Sequence, residues 1–248
     1  MRAFLTIWRR ELAAYFLSPI AYVTTIFFLV LLGFSFWLLA SFLVDGPAGL
    51  AVMQVLFDSL FFWIAILIVV PVITMRLFAD EKRSGTIEML MTAPVTDTQV
   101  VMGKYAGALC FFIIMWLPTL SFAYILRAFS PLTVTIDFGP MLGGYLGALL
   151  VGAFYIAIGV FASALTSNQI IAAIVSFVLF GVYFFAGLFT YAARTDWVQD
   201  AAGYISALAH MTDFSQGIID SRPVVFYLSC TVFMLFAAVK VVESRKWK

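Results

Sequence analysis

The chain has 248 residues, 64% of them hydrophobic and only 11% charged, with a net charge of +1 and a mean hydropathy of +1.08. A soluble domain carries about 25% charged residues, so an apolar excess this large needs lipid around it. The near-zero net charge gives no footprint for nucleic acid, and two cysteines inside apolar runs, Cys110 and Cys230, give no disulfide framework.

Before the first span comes MRAFLTIWRRELAAYFLSP, in which Phe4, Trp8, Leu12 and Tyr15 recur at helical spacing and Arg2, Thr6, Arg9, Arg10 and Ala13 fill the other side. This pattern predicts an amphipathic helix over about 3–17, lying along the membrane interface as an elbow. It is either a plain anchor or also a contact for a cytoplasmic partner through Arg9, Arg10 and Glu11. Pro19 marks the break into the first span. That span, about 25 residues long, exceeds a signal-peptide core, so no cleavage is expected.

Six apolar segments follow, at roughly 20–44, 53–76, 104–127, 141–165, 169–192 and 223–242. Each approaches the ~20 residues a spanning helix needs, and none alternates with period two as a barrel strand would. The fold class is therefore all-α: one polytopic membrane domain over 1–248. Six spans place both termini on one face. Eleven Lys and Arg fall on that face, against Arg127, Arg194 and Arg222 on the other, which makes it the cytoplasmic one in a bacterial inner membrane.

Two regions do not span. Between the second and third spans, Arg76 to Lys104 reads RLFADEKRSGTIEMLMTAPVTDTQVVMGK. Gly85 permits a sharp bend and Thr86 suits an N-cap. Glu88 in the first turn complements the helix dipole, and Ile87, Leu90 and Met91 share one face. Ala93–Pro94 ends the helix, and Thr96 with Gln99 forms a capping box for the third span. A stiff two-turn helix over Thr86–Ala93 is the expectation, shaped as a lever against a soluble partner. A plain solvated loop is the alternative.

Between the fifth and sixth spans, about 193–222, two short helices are expected in the outer leaflet. Asp196 caps the first, Trp197, Ala201, Tyr204, Ile205 and Leu208 form its apolar stripe, and Asp213 with Gln216 boxes the second. The only histidine, His210, is expected to face solvent.

In the fourth span Gly143 with Gly147, and Gly159 with Ser163, are small-xxx-small pairs that admit close helix packing, within one subunit or at a subunit seam. Catalytic motifs are missing: there is no HExxH, no GxSxG and no P-loop. No metal set is visible, and the spans lack the charged groups of gradient-driven carriers. The chain is not expected to be an enzyme, and energy for work must come from a partner.

The string EKRSGTIEMLMTAPV, Glu81 to Val95, resembles the signature loop of type-2 ABC exporter permeases, in which an acidic residue precedes Gly-Thr-aliphatic-Glu, then Leu, then Pro. Glu81, Gly85, Thr86, Glu88, Leu90 and Pro94 match it. RRELAAYFLSPIAY, Arg9 to Tyr22, resembles the gliding-motility-associated branch. The likeness covers the whole chain and implies a coupling helix docked on a separate ABC ATPase dimer, which would hold ATP and Mg; this chain would hold no cofactor. It further implies a second permease copy or a related membrane subunit with a large outer domain. A path between first and fifth spans would then be apolar. The function implied is coupling of ATP hydrolysis to transport, export or mechanical work. A non-transporting scaffold that anchors the ATPase and an outer partner is the alternative.

Overall fold

The computed structural model describes residues 2–43, 51–86, 95–129, 138–192, 199 and 202–244. Among them every regular element is helical, as expected where lipid supplies no partners for backbone N–H and C=O groups. The helices are α1 (Arg2–Phe16), α2 (Pro19–Leu43), α3 (Ala51–Asp58), α4 (Leu60–Thr74), α5 (Arg76–Arg83) and α6 (Asp97–Trp116). A 3₁₀ turn (Leu117–Leu120) and α7 (Ser121–Phe129) follow, then α8 (Phe138–Leu165), α9 (Gln169–Ala192), α10 (Ala207–Ser215) and α11 (Ser221–Glu243). Among the described residues, six helical stretches are long and apolar enough to cross a membrane: Pro19–Ser41, Leu60–Arg83, Asp97–Ala128, Phe138–Leu165, Gln169–Leu188 and Ser221–Glu243.

Helix α8 is the axis of the bundle. Its apolar window is 72% buried, against 22% for both α9 and α11. Glycines make this possible by letting neighbours reach its backbone. A Cβ on Gly143 would collide with the Phe214 carbonyl, and one on Gly159 with the Thr74 side chain. Gly147 faces Met211 and Phe214. Both small-residue pairs thus meet helices of the same chain. Aromatic rings fill the remaining space, with Tyr155 stacked on Phe180 at 4.5 Å and Tyr15 on Phe111 at 4.7 Å.

The stretch read as one span over 53–76 is divided. Ser59 ends α3 and caps α4, its hydroxyl accepting from the Phe62 amide at 3.2 Å. Asp58 is therefore the last residue of α3, outside the span, and accepts hydroxyl bonds from Thr212 (3.2 Å) and Ser215 (2.9 Å) on α10. Burial raises the Asp58 pKa, the two hydroxyls offset part of this, and Asp213 adds to it. In the third span, Pro118 cannot donate a backbone hydrogen bond; the helix tightens to 3₁₀ there and resumes as α7.

The region before the last span differs from expectation. Asp213 does not start a helix with Gln216. Ser206 caps α10 by accepting from Ala209 at 3.2 Å, and Asp213 sits near that helix's end. Gly217, at φ +80°, closes it: the Gly217 amide donates to Phe214 O and the Ile218 amide to Asp213 O, both at 2.9 Å, a Schellman ending that needs a left-handed residue. His210 is not solvated. It is 7% exposed, with Nδ1 3.3 Å from the Tyr227 hydroxyl. Tyr204 and Ile205 are exposed, while Ala207, Met211 and Phe214 form the buried side. The packing of α10 against α8 sets this face, and one stripe of sequence does not reveal it. Asp196, Trp197 and Ala201 lie outside the described residues.

The α8 contacts give a direct expectation. Gly159→Ala lowers the unfolding temperature of the detergent-purified chain, because overpacking costs about 1–3 kcal/mol. Gly33→Ala, where a Cβ meets nothing within 4 Å, leaves it unchanged or raises it through helix propensity.

Candidate functional site

Polar side chains gather where α1, α5 and α6 meet. Arg10 and Glu11 come from α1, Glu81 from the last turn of α5, and Lys104 from the second turn of α6. Lys104 Nζ lies 3.0 Å from Glu11 Oε1 and 2.9 Å from Glu81 Oε1. Arg10 Nη2 lies 2.8 Å from the same two oxygens. The Lys104 side chain is 1% exposed and rests 5.2 Å above the Phe78 ring. A buried ammonium is costly unless carboxylates surround it, and two carboxylates this close repel unless a cation separates them. Each charge therefore requires the others, and three helices are joined by that requirement. Burial alone would raise the Glu11 pKa, but Lys104 and Arg10 outweigh it and hold the carboxyl below its ordinary range.

A second joint lies one turn away. The helix of the second span breaks at Met75, between α4 and α5. Four backbone groups around the break bond side chains from other helices. The Tyr15 hydroxyl of α1 donates to Ile73 O at 2.6 Å. The Ser163 hydroxyl of α8 accepts from the Phe78 and Ala79 amides (3.0 and 3.2 Å) and donates to Met75 O at 2.9 Å.

On its other side α5 is tied to the α8–α9 corner, Lys82 bonding Ala164 O and Gln169 bonding Asp80. Helix α5 is thus clasped on both flanks. Its C-cap Ser84 donates its amide to Asp80 O at 2.9 Å, and Gly85, at φ +72°, turns the chain away. Ile87, Glu88, Leu90, Met91 and Pro94 lie outside the described residues. The chain is again described at Val95, and Thr96 and Gln99 form the expected capping box on α6, each side chain bonding the other's amide at 3.3 Å.

Among the residues singled out from sequence, Arg10, Glu11 and Glu81 are brought together, Gly85 and Thr86 stand where α5 ends, and Arg9 is exposed apart from the cluster. Ser163 does more than allow close packing, since its hydroxyl serves the Met75 break. Lys104 and Tyr15 were not anticipated as members of the site. Lys104 counted only as a positive charge. Its available signal is that Val100, Val101 and Ala108, its neighbours at i−4, i−3 and i+4, are apolar and mark a buried face.

A chain that is all-helical, with six candidate spans, among its described residues belongs to the class of polytopic membrane proteins. The family model described as ABC-2 family transporter protein matches residues 29–244, and the chain belongs to that family. It is thus a permease component of an ABC transporter, and the family implies an ABC ATPase partner. No curated protein matches the chain. The matched range contains Glu81, Lys104 and Ser163, whereas α1 precedes it.

Lys104→Met should destabilise the chain by about 3–5 kcal/mol, the cost of stripping one partner from a buried ionic group. Adding Glu11→Gln and Glu81→Gln should restore part of it, both read as unfolding temperature. The depressed Glu11 pKa contributes stability that is present above the ordinary glutamate value of 4.5 and is lost as pH falls through the folded value. A pH series below 4.5 should therefore show a shallower loss of stability in Glu11→Gln than in the parent chain.

Proposed function

We propose that this permease component is worked by a separate ATPase subunit through the loop after α5, and that it couples ATP hydrolysis to export or to mechanical work across the bacterial inner membrane. The observation that carries the reading is the cluster of Arg10, Glu11, Glu81 and Lys104, four residues from three helices joined directly beside the point where that loop begins. A push on the loop acts first on α5. The clasp on both flanks of α5 then passes it to α1 and α6 through Glu81, and to α8 and α9 through Lys82 and Asp80. Rigid helices joined by buried ion pairs move together, since separating them would leave unpaired charge in a poorly solvated place.

In this reading Thr86–Ala93 is a coupling helix. Ile87, Leu90 and Met91 present its apolar side to a cleft of the ATPase, Glu88 steadies its first turn, and Pro94 ends it. Arg9, exposed on α1, adds a secondary contact, with α1 as the elbow. The excess of Lys and Arg on one face favours cytoplasmic termini, which puts the loop on the side where ATP is available. ATP and Mg belong to the ATPase. The resemblance of Arg9–Tyr22 to the gliding-motility-associated branch supports pairing with a second copy, or with a related membrane subunit that carries a large outer domain.

Coexpression with an ABC ATPase tests this. Glu88→Arg combined with Leu90→Asp should abolish co-purification and lower stimulated ATPase activity at least tenfold, the effect of losing about 1.4 kcal/mol or more, while the unfolding temperature stays unchanged. An intact complex with undiminished stimulation would sink the proposal. ATP-dependent movement of material in proteoliposomes separates a transporter from a scaffold that keeps the same contacts.

A further inference from the structure

A groove of about 360 Å³ runs between α2 and α4, lined by Pro19, Val23, Phe27, Ile68 and Val72 among others. Its one hydroxyl, on Thr24, is spent on Ile20 O at 2.7 Å, so the groove offers almost nothing to a polar ligand. Val23 is 67% exposed, so the groove opens outward from the bundle. At one end stands a cation. Arg76 lies four residues after Val72, and its Nη1 donates to Ser18 Oγ at 2.6 Å, immediately before Pro19.

Arg76 makes no ion pair among the described residues. Arg76 shares a cleft with Glu11, Asp80 and Glu81, but the direct contacts of those carboxylates go elsewhere: Glu11 and Glu81 hold Lys104 and Arg10, each through Oε1, and Asp80 bonds Gln169. A guanidinium has five N–H donors, and one goes to Ser18. The group is also held in place, lying 4.8 Å from the Tyr15 ring centroid, and Tyr15 is itself fixed to Ile73 O. The first turn of α2 starts beside it, adding the positive end of a helix dipole.

We propose that Arg76 and the α2–α4 groove form a binding site for an anionic phospholipid, its phosphate on the guanidinium and one acyl chain along the groove. The juxtaposition selects this occupant. A soluble anion would have no use for the apolar groove, and an uncharged hydrocarbon would leave Arg76 without a direct ion pair. A membrane helix of a second copy would fill the groove and likewise leave the arginine unanswered. The assignment rests on the chain's place in a bilayer and is independent of how an ATPase is coupled.

The test is lipid titration of the full chain in detergent, read by native mass spectrometry, with phosphatidylglycerol and phosphatidylcholine of matched acyl chains. One arginine near an anionic headgroup should favour phosphatidylglycerol about fivefold. Arg76→Gln should remove that preference without lowering the unfolding temperature measured in phosphatidylcholine. Val23→Trp, which fills the groove at an exposed position, should weaken phosphatidylglycerol retention with Arg76 intact, and it decides the matter if Arg76→Gln fails to fold. Glycerol phosphate, the headgroup without chains, should compete poorly. An unchanged preference in either variant would overturn the site. Full competition by glycerol phosphate would make it a soluble-phosphate site, and Val23→Cys crosslinking between copies at a yield unaffected by phosphatidylglycerol would make it a subunit seam.

Discussion

Lipid offers no hydrogen bonds, so a backbone group released from a helix inside the membrane domain must find a partner in the protein. The break at Met75 is the place where this constraint shapes the molecule most. A straight second span would need nothing from its neighbours. The broken one needs Tyr15 from α1 and Ser163 from α8 to satisfy Ile73 O, Met75 O and two α5 amides. These bonds fix where α1 lies against the spans and bring α8 close to the second span, where Gly159 makes room for Thr74. The central position of α8 and the seating of the N-terminal helix follow from the same local irregularity.

The ionic cluster extends that joint. Helix α5 directs Glu81 toward α1 and α6, where Lys104 is nearly inaccessible to solvent. Removing one member would strand its partners, which makes the arrangement stiff in a way that a surface salt bridge is not. Stiffness at the end of a span would serve the drive proposed above, because displacement of one helix is not absorbed by a soft contact. The opposite end of the bundle is joined more gently. Asp58 accepts two hydroxyl bonds from α10, and His210 meets Tyr227. Neutral donors of this kind hold a helical segment with less energy at stake.

Much of the architecture was legible without coordinates. Hydropathy over windows of spanning length reveals six membrane helices, because the cost of exposing polar backbone to lipid leaves few alternatives. Thr96 and Gln99 announced the start of α6, since a capping box is a purely local device. Local signals misled where two readings were chemically open. Asp213 with Gln216 fits a helix start, yet Ser206 already caps that helix and Gly217 closes it. His210 looked like a loop residue because nothing nearby in sequence indicates that Tyr227, 17 positions on, would cover it.

What the chain determined by itself was its solvent, its helices and the local pattern after the second span: these depend on composition and on contacts a few residues apart. The tertiary structure alone decided which charges meet. Glu11, Glu81 and Lys104 are separated by 70 and 23 positions, and Tyr15 reaches Ile73 across 58. Pairings at such distances depend on how helices cross, and crossing is set by the glycines of α8 and by the break at Met75. One-dimensional patterns carry no information about crossing, because a lysine in a helix reads the same whether it faces water or two carboxylates.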